Sequence, residues 1–143
     1  MRIQKLKEKN TKSLNFIFIL RNKKYVRKNS AEKKKIGINE HEKWLKRFFK
    51  NKKNKIYIIK STKKEIGYIR LQKKGKFFEL SWALLNSYKG KKIISKCLKK
   101  VTLRKKNYFK AKIKKNNYAS IKAAQNAGFR LIKDEKLFVY MLK

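Results

Sequence analysis

The segment from Lys76 to Leu85 constrains the fold more than any other part of the chain, because both of its alternating faces are largely apolar. One set of alternating positions holds Phe78, Leu80, Trp82 and Leu84, and the other holds Phe77, Glu79, Ser81 and Ala83. A strand of this kind needs packed structure on each side, since neither face suits contact with water. The segment is therefore predicted to be the central strand of a sheet that is covered on both faces.

The order of the remaining elements predicts the class of fold. Lys55 to Lys60, Glu65 to Gln72 and the central strand are joined by short, turn-like connections, which indicates an antiparallel meander. Four further strands are predicted at Arg2 to Leu6, Tyr108 to Ile113, Phe129 to Ile132 and Leu137 to Leu142. Strands that come first and then alternate with helices indicate an α/β (α+β) fold, with residues 1–143 forming one domain.

Three helices are predicted from their ends and their apolar stripes. Asn39 can cap a helix, and Glu42 three residues later completes a pattern like the capping box. A second helix is predicted to open at Gly90. The third begins near Asn117 and ends at Gly128, a residue suited to a left-handed cap.

The segment Leu14 to Leu20 is ambiguous from its residues alone. Its aromatic and β-branched composition favours a strand, whereas Leu14, Ile17 and Phe18 fit one face of a helix.

The charge of the chain is extreme, with 45 Lys and Arg against 8 Asp and Glu, a formal net charge of +37. An anionic partner such as nucleic acid is one interpretation. The other is compositional drift, which is favoured because 38 of these cations are Lys and because Lys, Asn, Ile, Phe and Tyr share A/T-rich codons. Nucleic acid is therefore a possible partner but not the favoured one.

Several classes of protein and site are excluded by what the sequence lacks. The single cysteine, Cys97, excludes an internal disulfide and a thiolate zinc site, and we expect no metal. No apolar run approaches the roughly 20 residues of a membrane span, and no secretory segment follows the start. We therefore expect a cytoplasmic protein.

Five segments, in this order along the chain, resemble the GNAT superfamily of acyl-CoA-dependent N-acetyltransferases. The segments are Leu20-Arg21-Asn22 with Val26-Arg27, Asn39 to Trp44, Ile66 to Arg70, Glu79-Leu80-Ser81 followed by Tyr88 to Lys91, and Asn117 to Phe129. The first two are similar to the N-terminal half of acetyltransferases that act on nucleotide-linked amino sugars, the pseudaminic-acid pathway type. The resemblance covers nearly the whole chain and implies a mixed, mostly antiparallel sheet of about seven strands with helices on both faces, including a helix at Leu14 to Leu20.

The resemblance implies acetyl-CoA as co-substrate and a set of residues that would bind it. These are Leu84, Leu85, Tyr88, Lys89, Gly90, Lys91, Lys92, Ile93, Ile94 and Asn117. A main-chain N–H near Leu84 or Leu85 would meet the acyl oxygen, and Asn117 would cap its helix and touch the pantetheine arm. Lys92 and Ile94 stand where the superfamily's pyrophosphate loop usually has glycine, which would narrow the cradle.

The resemblance also suggests catalytic and acceptor-binding residues, each of which has a structural alternative. Glu79 is the predicted general base, and its structural alternative is an ion pair within the sheet. Arg21 is predicted to bind the acceptor, and its structural alternative is a solvated salt bridge. His41 is also predicted to bind the acceptor, and its alternative is simple packing or helix capping. Tyr88 could equally be an aromatic packing residue, and Cys97 lies on an apolar stripe and is predicted to be core.

These inferences predict an enzyme that transfers an acetyl group from acetyl-CoA to a primary amine by direct attack. The expected acceptor is a small anionic molecule, a nucleotide-linked amino sugar, and the expected state is a monomer or homodimer. One alternative is acetylation of a protein N-terminus or side-chain amine. The other is a degenerate acetyltransferase fold that binds nucleic acid or a scaffold.

Overall fold

Residues 1–31, 33–103, 107–136 and 138–143 are described by the structure, a computed structural model. The strands are β1 (Arg2–Lys5), β2 (Lys55–Ser61), β3 (Lys64–Lys74), β4 (Phe77–Leu84), β5 (Tyr108–Lys114), β6 (Arg130–Asp134) and β7 (Phe138–Leu142). The helices are α1 (Thr11–Arg21), α2 (Lys24–Arg27), α3 (Ile38–Lys50), α4 (Ile93–Thr102) and α5 (Tyr118–Asn126), with a 3₁₀ turn at Asn86–Tyr88. Leu137, the predicted start of the last strand, lies outside the described residues.

All seven strands form one sheet in the order β1-β2-β3-β4-β5-β7-β6. Neighbouring strands are antiparallel except β4 and β5, which are parallel. The predicted α/β class, the mixed and mostly antiparallel sheet and the central position of β4 are therefore confirmed.

The pairing of β4 with β5 ends before either strand does. Their register runs only from Phe77 opposite Tyr108 to Leu80 opposite Ala111, although β4 continues to Leu84 and β5 to Lys114. Beyond Leu80, the two central strands are thus separated by a gap at the carboxyl end of β4.

Two hydrophobic cores cover the sheet, one on each face. The larger includes residues of α4 and α5 with inward side chains of the strands, among them Leu80, Leu98 and Phe109. The smaller includes residues of α1 and α3 packed on β2, β3 and the end of β4, among them Ile17 and Phe48. The helices on both faces confirm the layered arrangement predicted from the central strand.

The ambiguous segment Leu14 to Leu20 is helical, as the resemblance implied, and it lies within α1. The side chain of Asn10 caps this helix by accepting a hydrogen bond from the Ser13 N–H at 3.1 Å. Ile17 and Leu20 are buried at 1% exposure each. Burial of this helical stripe against the sheet outweighs the local preference for a strand.

Two predicted helix starts are wrong. Asn39 does not cap α3 but lies inside its first turn, because the extended backbone of Gly37 takes the cap position and its carbonyl accepts from the His41 N–H at 3.0 Å. The helix predicted to open at Gly90 begins at Ile93, after the 3₁₀ turn and a left-handed residue at Lys92.

The ends of α5 are as predicted. Asn117 caps its start by accepting from the Ser120 N–H at 3.3 Å, and Gly128 follows its end with a left-handed φ of +98°. Asn117 is thereby fixed beside the gap between β4 and β5.

Gly67 keeps β3 unusually close to the end of β4. A Cβ atom placed there would lie 2.5 Å from the Ala83 carbonyl oxygen and 3.3 Å from the Leu84 Cα. These neighbours are backbone atoms and cannot rotate away. The absence of a side chain at Gly67 therefore sets the position of Leu84.

Candidate active site

A cleft of about 470 Å³ occupies the gap between β4 and β5. Its walls come from the end of β4, the turn before α4, the first turn of α4, one face of α5, and α2 with the residues after it. The lining residues predicted from the resemblance are Leu84, Tyr88, Lys89, Gly90, Lys92, Ile93, Ile94 and Asn117. The structure thus brings eight of the ten predicted cofactor-binding residues together; Leu85 and Lys91 do not line the cleft.

The N-terminus of α4 opens into this cleft without a side-chain cap. The first intrahelical bond to the cap residue runs from the Lys96 N–H to the Lys92 carbonyl, so the N–H groups of the first turn have no helical partner. Unpaired N–H groups and the positive end of the helix dipole favour an anion such as a pyrophosphate.

Lys92 adopts the left-handed conformation, with φ of 57° and ψ of 20°. This is the position at which the loop pattern has glycine, and the backbone keeps the geometry that glycine would adopt freely. A residue with a Cβ atom is strained there by roughly 1–2 kcal/mol. The loop geometry is therefore retained although its sequence has changed.

The backbone of Leu84 and Leu85 shows which N–H faces the gap. The Leu85 N–H is already used, because it donates to the Ile66 carbonyl of the β3 side at 2.8 Å. Bonded and non-bonded pairs alternate along an antiparallel ladder, so the next pair, Gly67 opposite Leu84, is non-bonded. The Leu84 N–H therefore points away from β3 and into the gap, whereas the Leu85 N–H is already occupied by the Ile66 carbonyl.

A second cavity of about 320 Å³ adjoins the first on the face of the sheet that carries Glu79 and Arg70. Trp82, Asn117 and Ser120 line both cavities, together with Val26, Asn29 and Ser30. The two cavities therefore meet where β4 and β5 stop pairing.

Glu79 lines the second cavity and is not buried, although a strand covered on both faces would have buried it. Its side chain is 30% exposed, and its carboxylate lies 3.3 Å from the Lys74 ammonium. The sheet face above Glu79 is open to the cavity, and this accounts for the difference. Among the described lining residues of the cavity Glu79 is the only carboxylate.

The second cavity is strongly cationic. Its basic lining residues are Arg21, Arg27, Lys34, Arg70 and Lys112. Arg21, a predicted acceptor-binding residue, is one of them. Arg70, on β3, was missed as a candidate site residue although it ends the quoted segment Ile66 to Arg70.

His41 does not line either cavity. It is 2% exposed and packs against the rings of Phe18, at 5.1 Å between centroids, and Trp44, at 6.1 Å. Burial lowers the pKa of His41 and the charge of Arg21 lowers it further, while the backbone of Leu14 and the Glu42 carboxylate act in the opposite direction. His41 is therefore packed in an aromatic cluster, in agreement with its packing alternative, and it lies outside both cavities that could hold an acceptor.

The α2 segment, of which the structure describes residues 23–31 and 33–35, contributes to one wall of both cavities and was not predicted as part of the site. Asn22 holds its two ends together: its side-chain amide donates to the Ile36 carbonyl and accepts from the Ile36 N–H, each at 2.9 Å. The Lys114 ammonium also donates to the Lys28 carbonyl at 2.7 Å. Nothing in the local sequence pattern marks these contacts, because they join residues far apart in the chain.

The remaining predicted roles concern cysteine, metals and membranes. Cys97 is buried in the larger core, as predicted, and burial raises the pKa of its thiol to about 11. Within the described ranges no cluster of three or more His, Cys, Asp or Glu is arranged to hold a metal ion. In the same residues no helix combines the length and apolarity that crossing a membrane requires.

Residues 2–130 match the family model described as an acetyltransferase (GNAT) domain. A comparison with curated proteins finds no match.

Solved structures with the same fold have acceptors of several kinds in their descriptions. The Campylobacter jejuni N-acetyltransferase PseH, in complex with acetyl coenzyme A, has 22% identity and a TM-score of 0.71, over 99% of this chain and 98% of that one. The ribosomal-protein-alanine N-acetyltransferase of Brucella melitensis has 16% identity and a TM-score of 0.76, over 100% and 99%. The spermidine N-acetyltransferase of Vibrio cholerae, with CoA and spermine, has 13% identity and a TM-score of 0.80, over 99% and 94%. At these identities the likeness establishes the fold.

Proposed function

The chain belongs to the acetyltransferase (GNAT) family, and from that premise we propose that it transfers an acetyl group from acetyl-CoA to the primary amine of a small anionic acceptor. A nucleotide-linked amino sugar is the acceptor class that we favour. The observation that carries the proposal is the meeting of two cavities at Trp82, Asn117 and Ser120, one beside an uncapped helix N-terminus and the other cationic and lined by a carboxylate.

The residues of the first cleft fit acetyl-CoA. The first-turn N–H groups of α4, with the Lys89 and Lys92 side chains at the cleft, suit its pyrophosphate. Leu84, Ile93 and Ile94 supply apolar surface, and Asn117 supplies a polar side chain at the junction. When bound, acetyl-CoA would supply a thioester that an amine attacks at the carbonyl carbon; the C–S bond would then break, and CoA would leave as a thiolate that takes a proton from solvent.

The Leu84 N–H is placed to donate to an acyl oxygen, because it points into the gap and has no partner strand on that side. A preorganised donor of this kind stabilises the negative charge that develops on the oxygen, and its removal from other enzymes costs about 10²–10³ in rate. This role belongs to the backbone and does not depend on the side chain of Leu84.

Glu79 is the proposed general base. Only the free amine has the lone pair that attacks a thioester, and an ammonium must first lose a proton. Glu79 is the lining carboxylate of the described cavity, and its half-exposed position lets it act directly or through water. Its carboxylate also lies 3.3 Å from the Lys74 ammonium, at the edge of the same cavity.

The cationic lining supports an anionic acceptor. Among the lining residues that the structure describes, five basic side chains face one carboxylate in a cavity of about 320 Å³, which favours a negatively charged molecule and disfavours a polyamine such as spermidine. The N-terminal segments, which resemble those of acetyltransferases acting on nucleotide-linked amino sugars, add to this support.

The test is an acetyl-transfer assay that follows release of free CoA thiol with three acceptors: an amino sugar linked to a nucleoside diphosphate, a peptide with a free N-terminus, and spermidine. We expect the highest kcat/KM for the sugar nucleotide, with a steep decrease at high salt. Preference for the peptide would support the protein-acetylating alternative instead.

Binding of acetyl-CoA is tested separately by thermal unfolding. At one hundred times its Kd, acetyl-CoA should stabilise the fold by about 2.7 kcal/mol, and desulfo-CoA nearly as much. Absence of stabilisation by either compound would favour the degenerate, non-enzymatic alternative.

A further inference from the structure

Two arginines of the second cavity each have a buried nitrogen atom without a hydrogen-bond acceptor among the described residues. The Nη1 atom of Arg21 and the Nε atom of Arg70 are buried and have no hydrogen-bond partner among the residues that the structure describes. Arg27, which lines the same cavity, differs: its Nε donates to the Asn22 carbonyl and its Nη1 to the Lys33 carbonyl, both at 3.1 Å. Backbone carbonyls thus satisfy two nitrogens of Arg27, whereas Arg21 and Arg70 each keep one buried nitrogen without a described partner.

Trp44 brings the two guanidinium groups together. The Cζ atom of Arg21 lies 4.9 Å from the centroid of the Trp44 ring, and that of Arg70 lies 5.1 Å from it. Contact with an aromatic ring orients a guanidinium group before any ligand arrives. The indole of Trp44 thereby fixes two cations that line one cavity.

The placement of the two cations is unfavourable in the absence of an anion. Burial lowers the pKa of Arg70 and the Arg21 charge lowers it further, while Tyr68 and the Glu79 carboxylate oppose the shift. Glu79 itself lies beside Lys74. An arginine keeps its charge even so, and a buried donor without a partner destabilises the fold. These groups are therefore arranged for a negatively charged ligand.

We propose that Arg21 and Arg70 form the binding site for a phosphoryl group of the acceptor. The inference rests on the proposed function and deepens it by placing this group within the cavity. A phosphoryl group carries up to two charges and several acceptor oxygens, so it can bind two guanidinium groups at once, whereas one carboxylate is satisfied by a single arginine fork.

The register of the sheet places this site close to the proposed base. Arg70 is opposite Ser81 and Gln72 is opposite Glu79, so Arg70 and Glu79 are diagonal neighbours on one face of β3 and β4. Diagonal neighbours are roughly 7–8 Å apart. A phosphoryl group on Arg70 and an amine beside Glu79 would therefore lie over the same face of the sheet, within one small molecule.

The experiment measures binding of inorganic pyrophosphate by calorimetry at constant ionic strength, with and without saturating desulfo-CoA to occupy the cofactor cleft. The variants are Arg70→Gln and Arg21→Gln, and the matched control is Arg47→Gln, which removes an exposed arginine of α3 that lines neither cavity. With desulfo-CoA bound, we expect each site variant to lose about ten- to hundredfold in pyrophosphate affinity and the control to match the wild type.

Three results separate this proposal from the proposed function. Pyrophosphate binding that desulfo-CoA abolishes and that Arg70→Gln leaves unchanged would place the anion in the cofactor cleft and overturn the proposal alone. Sensitivity to Arg70→Gln in a protein that does not bind desulfo-CoA would uphold the anion site and refute the acetyltransferase proposal. Equal affinity in the wild type and both site variants would overturn the proposal in every case.

Kinetics with the amino sugar nucleotide distinguish binding from indirect support of Glu79. Loss of Arg70 should raise KM more than it lowers kcat, and an amino sugar without a phosphoryl group should show no such change. A fall in kcat with unchanged KM would overturn the proposal. Should Arg70→Gln fail to fold by circular dichroism, Arg70→Lys, which keeps the charge but loses the fork, takes its place and should also raise KM.

Discussion

Substitution of Gly67 by alanine tests how the packing of β3 on β4 sets the active-site backbone. The added Cβ would lie 2.5 Å from the Ala83 carbonyl oxygen and 2.9 Å from the Leu84 Cδ1, and the first of these atoms belongs to the backbone. Overpacking of this kind costs roughly 1–3 kcal/mol, and the rigid neighbour places Gly67→Ala near the upper end. At about 3 °C per kcal/mol for a chain of this size, the melting temperature should fall by about 6–9 °C.

The assay is urea unfolding followed by tryptophan fluorescence at fixed salt, with acetyl transfer measured at a temperature where both proteins are folded. Activity should fall by at least tenfold in the folded variant, because the shift of β4 displaces the Leu84 N–H.

Gly37→Ala is the matched control, since a Cβ atom at Gly37 meets nothing within 4 Å. Because Gly37 is the cap residue of α3 and alanine caps less well, we expect its unfolding free energy to fall by no more than about 1 kcal/mol and its activity to be unchanged. Equal stability of Gly67→Ala and Gly37→Ala would refute the argument that β3 and β4 are in close contact here. A destabilised but fully active Gly67→Ala would refute the role of the Leu84 N–H.

Three other changes test the site and the core. Glu79→Gln should keep acetyl-CoA binding and lower turnover by about 10²–10⁴, with a smaller loss at high pH where the amine arrives deprotonated; equal turnover at all pH values would exclude Glu79 as the base. Lys92→Gly should raise the unfolding free energy, measured in urea, by about 0.5–1 kcal/mol, because glycine adopts the left-handed conformation without strain. Lys91→Gly is the control and should lower the unfolding free energy, because Lys91 does not have a positive φ. A Lys92→Gly variant less stable than the wild type would contradict the strain at Lys92. The pKa of the Cys97 thiol rises from 9.0 to about 11 on folding, so the neutral thiol stabilises the fold below pH 9 and this contribution is lost as the pH rises to 11. Relative to Cys97→Ala, the unfolding free energy of the wild type should decrease by at most about 3 kcal/mol over that range. Parallel curves of unfolding free energy against pH for the two proteins would contradict the shift.

The fold was predictable wherever the apolar pattern had one interpretation. The central strand and the short connections around it identified the sheet and its covered faces, and the structure confirms them. The first residues of the helices were harder to predict, because several residues near the start of a helix can act as its N-cap. Asn39 had the better side chain, yet the extended backbone at Gly37 allowed the cap to form earlier.

The lining of the first cleft was more predictable than that of the second cavity. Tyr88 to Ile94 are contiguous, so a loop motif places most of them together. The second cavity depends on residues from distant elements, and no local pattern brings Arg21, Trp44 and Arg70 into contact. The exposure of Glu79 was likewise not predictable, because it depends on which part of the sheet the helices leave uncovered.

The hydrogen bonds of Asn22 with Ile36 have a consequence for how acceptor range can evolve. Because they join the two ends of the α2 segment, the residues between them can be exchanged as a unit while the sheet and α3 keep their positions. Asn29 and Ser30 line both cavities from within this unit. Related enzymes with new acceptors should therefore differ first in residues 23–35, and a combinatorial library restricted to that segment would change specificity with little loss of folded protein.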